Sequence, residues 1–333
     1  KRILAMILAI ASCLSLAVSA SAASTARKAT DFKDFDKSAW YADAVNAAVD
    51  NGLLYGKSST IIDPNGDMTR AEMAAIINRS FGCYAKADIS KYKDVSKDKW
   101  YFADVAMAVQ MGTYNGRSNT AMAPDVPITR QEAMTVVARA LELDYDAYAK
   151  TDLSGFSDRS EISNWALPYV RAMVGADYIH GRGKVLAPQD NITRAEFAQI
   201  FANIIKSYIA VKGEYAKDHD GNLLVRCADV TLKDMTIKGD LIIGCGAADG
   251  KVTLDNVTVT GRLLVWGGGT KAVYCNNGTQ MPEVVVARVD DAVKVIYDRD
   301  STLAVIDTIK VRITERAKQH KETEVIFYDV SGL

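Results

Sequence analysis

An internal repeat constrains this chain more than any other feature. Self-comparison aligns three segments. The first holds Phe35, Trp40, Gly56, Asp63-Pro64 and Thr69-Arg70-Ala71-Glu72. The second holds Tyr92, Trp100, Gly116, Ala123-Pro124 and Thr129-Arg130-Gln131-Glu132. The third holds Phe156, Trp165, Gly181, Ala187-Pro188 and Thr193-Arg194-Ala195-Glu196. Trp to Arg is 30 residues in the first two and 29 in the third. Matches at this many places over three units define a repeat of about 50 residues, too small to bury its own apolar face and stable only when stacked.

Each unit reads as helix, loop, helix. Apolar residues at Trp40, Val45 and Val49, at Trp100, Val105 and Val109, and at Trp165, Val170 and Val174 keep one face of the first helix apolar. Gly56, Gly116 and Gly181 mark the loop, where a positive φ or a close approach is expected. The second helix starts at Thr69-x-x-Glu72, Thr129-x-x-Glu132 and Thr193-x-x-Glu196, each a capping box. These six residues are expected to be structural caps.

Beyond Lys206 the period changes to two. Val230–Leu232, Met235–Ile237 and Leu241–Ile243 return 22 residues later as Val252–Leu254, Val257–Val259 and Leu263–Val265, with Gly239 and Gly261 matching. Three short strands per 22-residue unit predict a parallel β-solenoid over 222–333. Strands are also predicted at Glu283–Val289, Val293–Tyr297, Thr302–Asp307 and Glu324–Tyr328. The charged, Gly-containing stretch between Lys206 and Asn222 reads as a linker, and His219 as part of it.

Lys and Arg number 40 against 41 Asp and Glu, a net charge of -1. That balance gives no general pull toward nucleic acid. Anion recognition must then come from local placement, and Arg70, Arg130 and Arg194 each stand in the first turn of a capped helix. A helix N-terminus with free N–H groups, joined by a planar guanidinium, suits a carboxylate. The indoles of Trp40, Trp100 and Trp165 can pack on sugar rings. At this level the Trp residues are equally readable as core, and the Arg residues as partners of Asp34, Asp94 or Asp158. The polysaccharide-binding candidates are therefore Trp40, Gly56, Arg70, Trp100, Gly116, Arg130, Trp165, Gly181 and Arg194.

The three units resemble S-layer homology (SLH) domains. The signature runs Trp40-Tyr41-Ala42-Asp43, Gly56, Pro64 and Met68-Thr69-Arg70-Ala71-Glu72, with counterparts through Ile128-Thr129-Arg130-Gln131-Glu132 and Ile192-Thr193-Arg194-Ala195-Glu196. The resemblance implies a pseudo-threefold helical assembly over repeats 32–84, 91–144 and 155–206, with grooves that bind a pyruvylated secondary cell-wall polysaccharide through the motif Arg. The fold class is thus α+β multidomain, three helical repeats followed by a small β-solenoid-like domain. Departures are Gln131 for the usual Ala, Ala166-Leu167-Pro168 in the third repeat, and Asp177 near the place of Gly52, from which a weaker or differently tuned third groove is expected.

Residues 1–23 read as an export signal: Lys1 and Arg2, an apolar run from Ile3 to Val18, then small residues around Ala20 and Ala22. A rival reading takes Ile10-Ala11-Ser12-Cys13 as a lipobox. Export would permit a disulfide among Cys227, Cys245 and Cys275, although the same residues are readable as small buried apolar groups. No Cys/His spacing calls for a metal, and no cofactor is expected. The chain is expected on the bacterial cell wall, exported, without a membrane span in its mature form, and as a non-enzyme whose β-domain serves assembly or adhesion through an unidentified partner. The alternatives are a wall-anchored carbohydrate-active enzyme and an S-layer lattice subunit.

Overall fold

The computed structural model describes residues 27–270 and 273–331. The export signal and Cys13 lie outside the described residues. The first repeat contributes helices α1 (Ala42–Asp50) and α2 (Arg70–Phe81), the second α3 (Phe102–Met111) and α4 (Arg130–Ala140), the third α5 (Leu167–Gly175) and α6 (Arg194–Ile204). The helices pair across repeats: α2 packs on α3, α4 on α5, and α6 back on α1. A unit whose second helix packs on the next unit's first helix can close as a ring of three.

At the centre of the ring the backbones bond in a cycle. The Met68 N–H donates to Ile192 O, the Ile192 N–H to Ile128 O, and the Ile128 N–H to Met68 O, at 2.9–3.0 Å. All three side chains are fully buried. The residue before each capping Thr is therefore apolar because it forms the axis of the trio.

The three Trp residues are not on the first helix as its spacing predicted. Each stands in a turn closed ahead of the helix, by the Ala42 N–H to Ala39 O, the Phe102 N–H to Lys99 O and the Ala166 N–H to Ser163 O. The inward position belongs to the next residue, Tyr41, Tyr101 or Ala166, all buried.

The chain passes from α6 into strand β1 (Ile205–Ile209) with no linker. Then follow β2 (Gly213–Tyr215), β3 (His219–Asp220), β4 (Asn222–Val225), β5 (Val230–Lys238), β6 (Leu241–Ile243), β7 (Val252–Val259), β8 (Arg262–Val265), β9 (Val273–Asn276), β10 (Glu283–Val286), β11 (Lys294–Tyr297), helix α7 (Arg299–Val305), β12 (Lys310–Ile313) and β13 (Glu324–Ile326). His219, expected in a linker, is in a strand with its Nδ1 3.0 Å from Ser207 Oγ. The predicted strand at Thr302–Asp307 is mostly helix α7, because Asp298 caps it by accepting from the Ser301 N–H at 2.9 Å.

The strands form two parallel sheets, β1-β4-β6-β8-β10-β12 and β13-β11-β9-β7-β5-β2. The 22-residue offset is the stacking register, with Val230 on Val252 and Leu241 on Leu263. Each of these coils has two strands rather than three. Val230–Leu232 and Met235–Ile237 are one strand, bent where Asp234 takes φ 47; Asn256 repeats the bend at φ 55. Asp and Asn tolerate this left-handed conformation better than other non-Gly residues.

The two sheets differ in what covers them. Strand β5 alternates buried and open residues, whereas β4 and β6 are buried throughout. Leu223, Leu241 and Leu263 point into the solenoid. Leu224, Ile242, Leu264 and Val285 point out, into the core of the helical trio. The first sheet is thus apolar on both faces, as parallel strands are when both sides are covered.

Arginines of the solenoid meet helix ends at this junction. Arg226 donates to Asn51 O, beyond α1, at 2.7 Å and Arg262 to Leu141 O and Glu142 O, beyond α4, at 3.2 and 3.0 Å. Arg312 donates to Glu142 O at 2.6 Å, and buried Trp266 donates its indole N–H to Ala140 O at 3.0 Å. Cations and donors at helix C-termini engage carbonyls that have no partner within the helix.

Candidate functional site: three inter-repeat grooves

Three cavities lie between the repeats, and each draws on all of them. The largest, about 590 Å³, is lined by Arg70 of the first repeat, Gly116, Arg117 and Glu132 of the second, and Trp165 of the third. The second, about 450 Å³, combines Arg194, then Gly56, Lys57 and Glu72, then Trp100. The remaining one, about 300 Å³, combines Arg130, then Gly181, Arg182 and Glu196, then Trp40. Every candidate named from the sequence thus lines a groove, with its neighbours coming from different repeats.

The motif arginines form the floor. Arg70, Arg130 and Arg194 are 3–5% exposed. Their Nε atoms donate to Met122 O, Leu186 O and Ile62 O at 2.8–2.9 Å. Their Nη1 atoms meet Glu132, Glu196 and Glu72 of the following repeat at 3.1–3.2 Å. Asp34, Asp94 and Asp158 are not their partners. These carboxylates accept backbone N–H groups of the loop ahead of the second helix, at Ile62 and Asp63, Met122 and Ala123, and Leu186 and Ala187.

The helix N-termini are engaged as well. The Arg70, Arg130 and Arg194 N–H groups donate to Val126 O, Asp190 O and Gly66 O, and the next residue's N–H to Pro124 O, Pro188 O and Pro64 O. The free N–H groups expected there are used in closing the ring, so the grooves offer an anion side chains rather than helix ends.

The glutamates have two tasks. Each completes a capping box with its Thr. Each also receives a basic residue of its own repeat that the self-comparison passed over: Lys57 on Glu72 at 2.6 Å, Arg117 on Glu132 at 3.0 Å, Arg182 on Glu196 at 2.6 Å. The signal was present, since a basic residue follows Gly56, Gly116 and Gly181. These three side chains are 35–39% exposed and face solvent where the motif arginines do not. Burial pushes the Glu72 carboxyl up, but Lys57, the Thr69 N–H and Arg194 outweigh it and hold it below the usual range. Glu132 and Glu196 are lowered in the same way, against burial, by Arg117 and the Thr129 N–H, and by Arg182 and the Thr193 N–H.

The indoles complete the walls. Trp40, Trp100 and Trp165 are 63%, 59% and 51% exposed, so the core reading does not hold for them. The glycines are required by close approach. A Cβ on Gly56 would lie 2.4 Å from the Phe32 ring, and one on Gly116 would lie 2.5 Å from the Tyr92 ring. Gly181 adds φ 74 to a 2.8 Å approach to Phe156. Phe32, rather than Phe35, is therefore the counterpart of Tyr92 and Phe156.

The departures have local causes. Gln131 is buried and ties α4 to the third repeat, donating to Ser163 Oγ and Gln189 and accepting the Ser163 N–H. Asp177 keeps the left-handed backbone of Gly52, at φ 63 against 66. The grooves are nonetheless unequal. Arg139 and Arg79 line the two larger ones, and Asn203 lines the smallest.

Comparison with known proteins matches residues 31–74, 91–134 and 155–198 to the S-layer homology domain. The helical trio is three S-layer homology domains. Such domains bind cell-wall polymers and anchor their carriers at the cell surface. Among relatives, the chain is 35% identical over 196 residues to a surface-layer 125 kDa protein of Lysinibacillus sphaericus, covering 57% of this chain and 16% of that one. It is 29% identical over 173 residues to an amylopullulanase of Thermoanaerobacterium thermosulfurigenes, covering 51% and 9%. It is 27% identical over 153 residues to a cellulosome-anchoring protein of Acetivibrio thermocellus, covering 43% and 33%. The matched region spans a third or less of these relatives. These relatives match through their SLH portions, and their names include a surface-layer protein, an amylopullulanase and a cellulosome-anchoring protein. No helix among the described residues is long and apolar enough to cross a membrane.

Proposed function

We propose that the SLH trio holds this chain non-covalently on a bacterial cell wall by binding an acidic, pyruvylated polysaccharide in its three grooves. The observation that carries this reading is the pairing, in every groove, of an exposed indole with an exposed base beside a carboxylate. A sugar ring packs its C–H face on the indole. A ketal carboxylate on that sugar takes Lys57, Arg117 or Arg182 in place of, or alongside, the glutamate. The buried arginine keeps the floor positive and fixes the glutamate. Three sites on one rigid body add avidity, so modest individual affinities give firm attachment. The solenoid is a structural partner in this reading, docked by one sheet on the anchor and displaying the other. The cellulosome-anchoring relative, named for attachment, agrees with it.

The test is pelleting of the full chain with purified walls, before and after chemical removal of the pyruvyl ketal. A Lys57→Gln/Arg117→Gln/Arg182→Gln variant and a Trp40→Ala/Trp100→Ala/Trp165→Ala variant accompany it. Binding should be lost on ketal removal and in both variants. Undiminished binding to ketal-free walls by the wild-type chain overturns the acidic-sugar reading.

A further inference from the structure

Cys83 follows Gly82, the left-handed residue at φ 67 that ends α2. Cys245 opens the short turn Cys245–Ala247 after β6. The two cysteines are 162 residues apart and belong to different halves of the molecule, yet their sulfurs are 3.2 Å apart. Glycine makes this approach. A Cβ on Gly82 would lie 2.8 Å from Gly246 Cα, and one on Gly244 2.6 Å from Phe81 O. Neither position admits another residue unless the two backbones separate, and the cysteines flank the point where they touch.

The sulfur separation exceeds an S–S bond, about 2.05 Å, by roughly one ångström. Both cysteines are half-buried, on a narrow crevice shared with Tyr84, Met111 and Trp266. The pairing that export would permit among Cys227, Cys245 and Cys275 has no such geometry. Cys227 Sγ faces Ile209 O at 3.9 Å, and Cys275 is fully buried in the solenoid core.

We propose that Cys83 and Cys245 form a disulfide that staples the SLH trio to the solenoid when the chain meets an oxidising exterior, a setting that rests on the surface location proposed above. The chemistry is exchange with a small disulfide. One cysteine sulfur attacks it, a mixed disulfide forms and one thiol leaves. The second cysteine sulfur displaces the other thiol, closing the Cys83–Cys245 bond. Two cysteine thiols are oxidised, one external disulfide is reduced, and two small thiols carry away the protons. Cross-linking residues so distant in sequence restricts the unfolded chain strongly.

The experiment incubates the folded full chain with oxidised glutathione, alkylates the remaining thiols and maps peptides without reduction. The expected result is two fewer alkylated thiols and one linked peptide pair carrying Cys83 and Cys245, about 2 Da lighter than the two free peptides. Dithiothreitol should reverse it. Cys83→Ser should abolish the pair and leave Cys245 carrying glutathione. Full alkylation of both cysteines in the wild-type chain, or a separate glutathione adduct on each, overturns the proposal. The assay uses no cell wall, so failed wall binding and failed cross-linking are distinguishable.

Discussion

At the scale of single residues, the groove separates two kinds of side chain that look alike in the sequence. The motif arginines are enclosed, with Arg130 bonded to Leu186 O and paired with Glu196. Removing Arg130 leaves Leu186 O without its donor and takes one partner from Glu196, which keeps Arg182 and the Thr193 N–H. Arg130→Ala is therefore expected to cost about 1–3 kcal/mol in urea unfolding. Trp100 stands 59% exposed, and Trp100→Ala should change stability by only about 0.5 kcal/mol while weakening wall binding. A large stability loss in Trp100→Ala would instead return the indole to a packing role. The triplet of Trp and Arg was legible as a repeat. Which of the two faces the ligand was not, because exposure depends on a turn at Trp40 and a carbonyl 52 residues away from Arg70.

At the scale of elements, spacing carried the second helix of each repeat and the coil length of the solenoid. The 22-residue identity of Gly239 and Gly261 has a steric cause. A Cβ on Gly261 would lie 2.4 Å from Asp240 Oδ1 and 2.7 Å from Gly239 C. Asp240 cannot move freely, since it accepts from the Arg262 N–H at 2.7 Å and pairs with the Arg262 guanidinium. Gly261→Ala should cost about 1–3 kcal/mol in thermal or urea unfolding; an unchanged midpoint would refute this account of the corner. The coil has two strands where three short segments were expected, because left-handed Asp234 and Asn256 bend a continuing strand rather than end it. The strand predicted at Thr302–Asp307 gave way to a helix because a capping Asp298 outweighed β-branched Thr302 and Val305.

At the scale of the whole molecule, the continuous apolar runs at Leu241–Ile243 and Leu263–Val265 carried information that alternation alone did not. A strand apolar at every position is covered on both faces, and here the second cover is the helical trio. Docking of the two halves was thus readable in principle, but the arginines that meet the helix ends were not, since nothing in their sequence neighbourhoods names a carbonyl across the interface. Trp266 is 2% exposed and bonded to Ala140 O. Trp266→Ala should cost about 3–5 kcal/mol and split calorimetric unfolding into two transitions, one for each half. A single transition at the wild-type midpoint would show that Trp266 contributes nothing to the coupling of the two halves.

The return of α6 onto α1 has a consequence for how such anchors can be shortened or copied. Because the floor, the rim and the wall of each groove come from three different repeats, the sites do not scale with the number of repeats. Two repeats would furnish no whole groove at all, and a fourth would find no seat in a ring already shut. The trio is therefore one working part: loss of any single repeat would open all three grooves at once rather than remove one of them.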